Sequence, residues 1–276
     1  MIGRVTGLSY SSRMGNSTDQ LSSSLPNLRE VGGWRMPDGR SFTSGILFRS
    51  AALTNPAVRT DPIVANLGLK VVVDLRTGSE TANHPDVLPA NAELRHIDIL
   101  GSAPASAAAI PDQINKQMDA VFRSLTLDVA HEKMLATYRD LVSNSGALAG
   151  YAELVRIVLE AGGEPVLYHC TAGKDRTGWA TALFMTAAGL PYGSILEEYL
   201  GVNPAVEALF VPLARRFVSS GIAPEIAREF IGVQKAYLDT AYAEVESVFN
   251  TFEGYLRDGL QLDEGELTAL RRLLVV

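Results

Sequence analysis

The stretch Glu164-Pro165-Val166-Leu167-Tyr168-His169-Cys170-Thr171-Ala172-Gly173-Lys174-Asp175-Arg176-Thr177-Gly178 decides the fold. Glu164 to Tyr168 is a short apolar run set off by Gly162-Gly163, the pattern of a strand buried on both faces. From Arg176 onward the spacing of apolar residues is helical. Between strand and helix lies a tight loop that carries the only cysteine of the chain.

A loop so placed turns its backbone N–H groups toward one point. Together with the N-terminus of the following helix they make an anion site suited to a phosphate dianion. Gly173 lets the backbone fold closely enough to aim its amides inward. The same field stabilises a thiolate at Cys170, below the free value of about 8.5. Arg176 is placed to bind two equatorial phosphate oxygens through its planar fork, which a lysine does not imitate. The chemistry implied is attack by Cys170 on phosphorus, giving a phosphocysteine that water hydrolyses. Thr177 is placed to hydrogen-bond the sulfur and help it leave. A lone cysteine is more often a buried small hydrophobe; here His169, Gly173, Arg176 and Thr177 all fit one mechanism. A nucleotide-binding loop is excluded, because Tyr168 stands where its first glycine belongs and Asp175 follows the lysine. A sulfurtransferase loop has little use for Arg176 and Thr177.

Working outward, Trp34 to Met36, the turn Pro37-Asp38-Gly39 and Phe42 to Phe48 predict a hairpin. Residues 57–67 predict a short helix. Lys70 to Arg76 is a β-branched run suited to a buried strand, and Leu94 to Leu100 is a second candidate. Residues 101–115 predict a loop leading to helical pieces at 113–125 and 128–142. Leu148 to Ala161 predicts an amphipathic helix ended by Gly162-Gly163. After Arg176 the pattern is helical, with breaks at Gly189 to Pro191, Pro204, Gly221 to Pro224, Gly232, Gly254 and Gly259. The fold class is therefore α/β: a mainly parallel central sheet flanked by helices, with a helical C-terminal part. Residues 1–25 are polar and Ser-rich and predict a flexible leader; 26–276 form a single domain.

The 276 residues are 47% hydrophobic and 20% charged, with a net charge of −7, so the chain is globular and is not a general nucleic-acid binder. An anionic substrate must be held by a local positive site. One cysteine excludes a disulfide framework and a multi-cysteine metal site. His84, His96 and His131 have no metal-like spacing, and neither metal nor cofactor is expected. No apolar run reaches the roughly 20 residues a membrane helix needs, and no secretory signal is visible. The expected location is the cytoplasm, or outside the cell by an export route that leaves no such signal.

His169-Cys170-x5-Arg176-Thr177 resembles the protein tyrosine phosphatase signature. The fuller His-Cys-Thr-Ala-Gly-Lys-Asp-Arg-Thr-Gly run is similar to the PtpB-like group of bacterial tyrosine and lipid phosphatases. Asn27-Leu28-Arg29-Glu30-Val31-Gly32-Gly33, Gly45 to Ser50 and Val73-Asp74-Leu75-Arg76-Thr77-Gly78-Ser79-Glu80 resemble that group's opening and its strand end. The resemblance runs from about residue 26 to the C-terminus. It implies a fold like that of the dual-specificity phosphatases, with a helical lid insertion. It also implies hydrolysis of phosphotyrosine, with phosphoserine, phosphothreonine and phosphoinositides as further substrates. Phosphoproteins or phosphoinositides are then the expected partners. A dedicated inositol-phosphate or phosphoinositide phosphatase is the alternative, and a catalytically dead phosphate-binding module the rival from another class.

Transfer to sulfur needs a general acid for the leaving oxygen. The Trp-Pro-Asp loop that supplies it in most tyrosine phosphatases is absent; the tryptophans are Trp34 and Trp179. Asp175, inside the loop, is the first candidate, and myotubularin-like lipid phosphatases similarly carry an Asp before the Arg. Asp74, at the end of a predicted central strand, is the second, with holding Arg76 or Arg176 as its structural alternative. Asp98 is a weaker third. The expected catalytic set is thus Cys170, Arg176, Asp175 and Asp74. His169, Thr171, Ala172, Gly173, Lys174 and Thr177 are expected around the substrate phosphate. Lys174 is expected to face substrate and His169 to orient the loop. Asn27, Arg29, Arg49 and Arg76 are expected to brace the loop from behind, and 113–142 to form a lid.

Overall fold

The computed structural model describes residues 22–101, 125–219 and 221–276. Five strands, β1 (Arg29–Glu30), β2 (Leu47–Ser50), β3 (Val71–Asp74), β4 (Glu93–His96) and β5 (Val166–His169), form one sheet in the order β1-β2-β5-β3-β4. β1 is antiparallel to β2, and the other pairs are parallel. The expected mainly parallel sheet is present.

The period of two along the strands assigns each residue to a face. Leu47, Val71, Val73, Val166 and Tyr168 enter the large core, under helices α3 (Leu127–Ser143), α4 (Ser145–Glu160) and α5 (Asp175–Ala188). Phe48, Val72 and Leu167 point the other way. They are covered by a thin layer of Leu25, Leu28, Leu53, Val58 and Val64, the last from α1 (Pro62–Asn66). Each fully buried aliphatic side chain contributes about 1.5–3 kcal/mol, so the two-sided burial of β5 anchors the sheet. The C-terminal part is helical: α6 (Tyr192–Leu200), α7 (Asn203–Ser219), α8 (Pro224–Ile231), α9 (Lys235–Phe249) and, after a π turn at Tyr255–Gly259, α10 (Glu264–Leu274). α2 (Gly78–Asn83) follows β3.

Several boundaries differ from expectation, each for a local reason. The single helix expected at 57–67 is a 3-10 turn at Pro56–Thr60 followed by α1. Asp61 ends the first through its N–H to Val58 O and opens the second by accepting from Ile63 N, with Pro62 in the first helical position. β4 stops at His96, not Leu100, because Ile97, Ile99 and Leu100 leave the sheet edge for the core, where Ile97 and Ile99 pack on Gly150 of α4. The expected hairpin turns at Pro37 to Gly39, with Met36 N donating to Arg40 O at 2.8 Å and Phe42 N to Trp34 O at 2.8 Å, but its return is short, since Phe42 also pairs with Val275 near the C-terminus. The break expected at Pro204 falls at Gly201 and Val202, with Pro204 in the first turn of α7, while Pro212 sits inside that helix. Residues 22–25, expected in the leader, are packed: Ser22 and Ser24 donate to Asp61, and Leu25 is fully buried, while residues 1–21 lie outside the described residues. The helical piece expected at 128–142 is α3, packed on α4, α8 and α9; residues 113–124, the first part of the expected lid, lie outside the described residues.

Register brings Ser50, His169 and Asp74 side by side at the carboxyl ends of β2, β5 and β3. Open α/β sheets place their ligands at that edge.

Candidate active site

The loop from Cys170 to Lys174 joins β5 to α5. The carbonyls of Cys170, Thr171, Ala172 and Gly173 are engaged behind it. Cys170 O lies 3.1 Å from His169 Nδ1, and Thr171 O accepts from Ala52 N at 3.1 Å. Asn27 Nδ2 donates to Ala172 O at 2.9 Å and Gly173 O at 3.0 Å, and Arg49 Nη2 donates to Gly173 O at 2.7 Å. Each peptide is planar and trans, so a carbonyl turned back sends the next residue's N–H forward. The amides of Thr171, Ala172, Gly173 and Lys174 therefore converge on the front of the loop. Gly173 has φ +67°, and a Cβ there would stand 2.1 Å from Ser50 O and 2.8 Å from Asn27 Nδ2. Only glycine fits.

Cys170 lies at the bottom of this ring, 2% exposed. Burial alone would raise its pKa. The Arg176 charge, together with the Thr177 hydroxyl and backbone amide, outweighs burial and lowers it. Among the described residues the buried Thr177 hydroxyl has no oxygen or nitrogen partner, which leaves it for the sulfur. Arg176 is held in a fork: Nη1 donates to Glu80 Oε2 at 2.6 Å and Nη2 to Glu80 Oε1 at 2.7 Å. Glu80 is the third residue of α2 and closes a capping box with Thr77. Thr171 Oγ1 also donates to it. Burial opposes ionisation of Glu80, but Arg176 holds its pKa down at about 2. The arginine is thus pre-aimed from the side, with its charge kept buried at the loop.

Behind the cysteine, His169 Nε2 lies 3.0 Å from Asp86 Oδ2 and 3.9 Å from Asp74 Oδ1. Burial would favour neutral imidazole; the two carboxylates reverse that and raise the His169 pKa. Asp86 is held down at about 2, burial being overcome by His169 and Arg76. Asp74 receives Arg76 Nε at 2.9 Å and Nη2 at 2.8 Å, as well as Arg76 N at 3.0 Å. Its contacts are those of its structural alternative, with Arg76 as the partner. Asp74, Asp86 and His169 lie near enough to share an ion, but the Arg76 guanidinium already supplies positive charge between the two carboxylates.

Of the expected braces, Asn27 and Arg49 hold the loop directly. Arg29 acts through Asn27 and Glu198, donating to Glu198 Oε1 at 2.7 Å. Arg76 braces the acids and His84 O instead of the loop. Arg49 is fully buried, and burial lowers its pKa to about 10. Asp98 accepts from Gly78 N at 3.1 Å and Leu100 N at 3.2 Å, tying down the start of α2.

Lys174 departs from expectation. Its ammonium does not face the loop mouth; it is buried and donates to Phe230 O at 2.7 Å and Gly232 O at 3.2 Å. These carbonyls lie at the C-terminal end of α8, where a cation is favoured. Asp175 is buried beside it: Oδ2 lies 3.3 Å from Lys174 Nζ, and Oδ1 accepts from Tyr138 of α3 at 2.8 Å. Glu80, Asp86, Tyr138 and Glu198 were not assigned roles from sequence. Of these only Glu80 had a readable signal, the Thr77-x-x-Glu80 capping pattern.

A model of the tyrosine phosphatase family matches residues 21–276. The chain belongs to that family. The phosphatase is 29% identical over 250 residues to a Cupriavidus necator protein provisionally named a tyrosine-protein phosphatase, covering 88% of this chain and 84% of that one. It is likewise 29% identical over 260 residues to the triple specificity protein phosphatase PtpB of Mycobacterium tuberculosis, covering 84% of this chain and 93% of PtpB. A solved structure of Pseudomonas aeruginosa TpbA overlaps 75% of this chain and 90% of its own at a TM-score of 0.32 and 17% identity. The phosphatase has, among the described residues, no helix long and apolar enough to cross a membrane.

Proposed function

We propose that this tyrosine phosphatase works through Cys170, by way of a phosphocysteine intermediate, on phosphotyrosine and on further phosphomonoesters. The observation that carries the reading is the convergence of forward-facing loop amides, a pKa-lowered Cys170 and a fork-held Arg176 on one point. Sγ attacks phosphorus as the bond from phosphorus to the leaving oxygen breaks. Arg176 and the loop amides take the charge that spreads over the equatorial oxygens. Asp175 gives its proton to the leaving oxygen. Water then attacks the phosphocysteine and returns a proton to Asp175. The sulfur–phosphorus bond breaks, inorganic phosphate leaves, and Thr177 supports the returning thiolate.

Asp175 is preferred to Asp74 because both Asp74 oxygens accept hydrogen bonds from the Arg76 guanidinium, whereas Asp175 accepts one from Tyr138 and has the Lys174 ammonium 3.3 Å from its other oxygen. A range of substrates wider than phosphotyrosine is supported by the name of the relative PtpB, a triple specificity protein phosphatase; phosphoserine, phosphothreonine and phosphoinositides are the candidates. Acid-quenched turnover of a phosphotyrosine peptide, followed by mass analysis, tests the reading. A phosphate adduct on the peptide that carries Cys170 is expected. Steady turnover with no adduct, unchanged by alkylation of Cys170, sinks it. A panel of phosphopeptides and phosphoinositides under the same conditions then ranks the substrates.

A further inference from the structure

The two oxygens of Asp175 are held differently. Oδ1 accepts from the Tyr138 hydroxyl at 2.8 Å, and Oδ2 faces Lys174 at 3.3 Å. Tyr138 is itself held. The Tyr199 hydroxyl of α6 donates to the Tyr138 oxygen at 2.6 Å. A phenol has one proton to give. Tyr199 spends its proton on Tyr138, so the proton of Tyr138 points at Asp175. Both tyrosines are buried, and both have pKa values raised far above the ordinary phenol by burial and the nearby Asp175 charge, so they stay neutral donors. The rings are locked as well: Tyr138 meets Tyr199 edge-on at 6.2 Å and lies against Tyr237 at 5.4 Å. Three elements, α3, α5 and α6, meet at this chain of hydroxyls.

We propose that Tyr138, oriented by Tyr199, is a positioning residue for proton transfer by Asp175: it donates to Oδ1 and, with the Lys174 ammonium beside Oδ2, fixes the plane of the carboxyl. This rests on the reading of Asp175 as the acid. The one-way order of donors also explains why an acid can work without a mobile loop. A carboxyl free to spin presents either oxygen, and half of its orientations are unproductive. Here the buried phenol fixes the plane and the face before substrate arrives, as preorganised catalytic groups require.

The test measures kcat/KM for a series of aryl phosphates of rising leaving-group basicity, on the intact protein and on Tyr138→Phe, Tyr199→Phe and Asp175→Asn. General-acid loss shows only where the leaving group needs a proton. Asp175→Asn should steepen the dependence on leaving-group basicity. Tyr138→Phe keeps the ring packing and should steepen it in the same sense, with roughly a tenfold loss on phenyl phosphate and a change within about twofold on a nitrophenyl phosphate. A Tyr138→Phe protein that slows all substrates equally, or none, overturns the proposal, because a merely structural role does not follow the leaving group. If Asp175→Asn itself shows no such dependence, the reading of Asp175 as acid has failed. If Asp175→Asn is steep and Tyr138→Phe flat, only the present proposal fails. Should Tyr138→Phe not fold, Tyr199→Phe carries the test. It should steepen the slope by a smaller amount, and an unchanged slope refutes the proposal.

Discussion

Replacing Glu80 by Gln is the perturbation whose size is best defined. The fork on Arg176 is buried, and the Glu80 carboxyl is moved from 4.5 to about 2 by its partners. At about 1.4 kcal/mol per unit, the difference corresponds to about 3 kcal/mol of stability, in line with the ~3–5 kcal/mol lost when one partner of a buried pair is removed. The sign follows from linkage. A carboxylate whose folded pKa is depressed contributes in full above its unfolded pKa and loses the contribution as pH falls toward the folded value. Urea unfolding of the intact protein and of Glu80→Gln should therefore differ by about 3 kcal/mol at pH 7. The gap should shrink to roughly half by pH 3, where unfolded Glu80 is protonated and folded Glu80 is still largely ionised. Activity should fall by roughly a hundredfold, since Arg176 loses the fork that aims it. A gap that stays constant from pH 7 to pH 3 would refute the reasoning, because the stability would then not come from the Glu80 charge.

Gly173→Ala should abolish binding of a phosphate analogue and destabilise the fold by about 2 kcal/mol or more, because the new methyl meets Ser50 O at 2.1 Å; calorimetry and thermal melts check both. Alkylation of Cys170 by iodoacetamide, followed across pH, should show its midpoint below the free thiol value of about 8.5; a midpoint at or above it contradicts the proposed stabilisation. Lys174→Met should lower rates on phosphopeptides and phosphoinositides in the same ratio, because its ammonium is spent on Phe230 O and Gly232 O; a selective loss on phosphoinositides contradicts that orientation. Asp74→Asn should cost about 3 kcal/mol by leaving Arg76 short of a carboxylate, while leaving the dependence on leaving group unchanged.

What could be read from the chain alone was local and contiguous. The run from Val166 to Thr177 carries strand, turn and helix start in one piece, so the tight cysteine loop and the need for Gly173 followed from neighbours in sequence. Long-range choices were not legible. Lys174 looks like a substrate-facing lysine until α8 brings the carbonyls of Phe230 and Gly232 to it. The fork partner of Arg176 lies 96 residues away; Glu80 stood at the end of the Val73 to Glu80 run, but nothing in that run tied it to Arg176. Asp86 and Tyr138 carry no motif. They matter because β5 sets His169 beside Asp86 and α3 packs next to α5, which is decided by core burial and not by spacing. Asp74 had two readings of equal standing in the sequence, and only the position of Arg76 separated them.

Cys170, at the floor of this loop, is the proposed nucleophile, and Cys170→Ser removes that thiol alone. The variant keeps the ring of amides and Arg176, so it should bind a phosphotyrosine peptide about as tightly as the intact protein while turnover falls to background. Hydrolysis of that peptide by a folded Cys170→Ser protein at a rate near that of the intact enzyme would contradict that role.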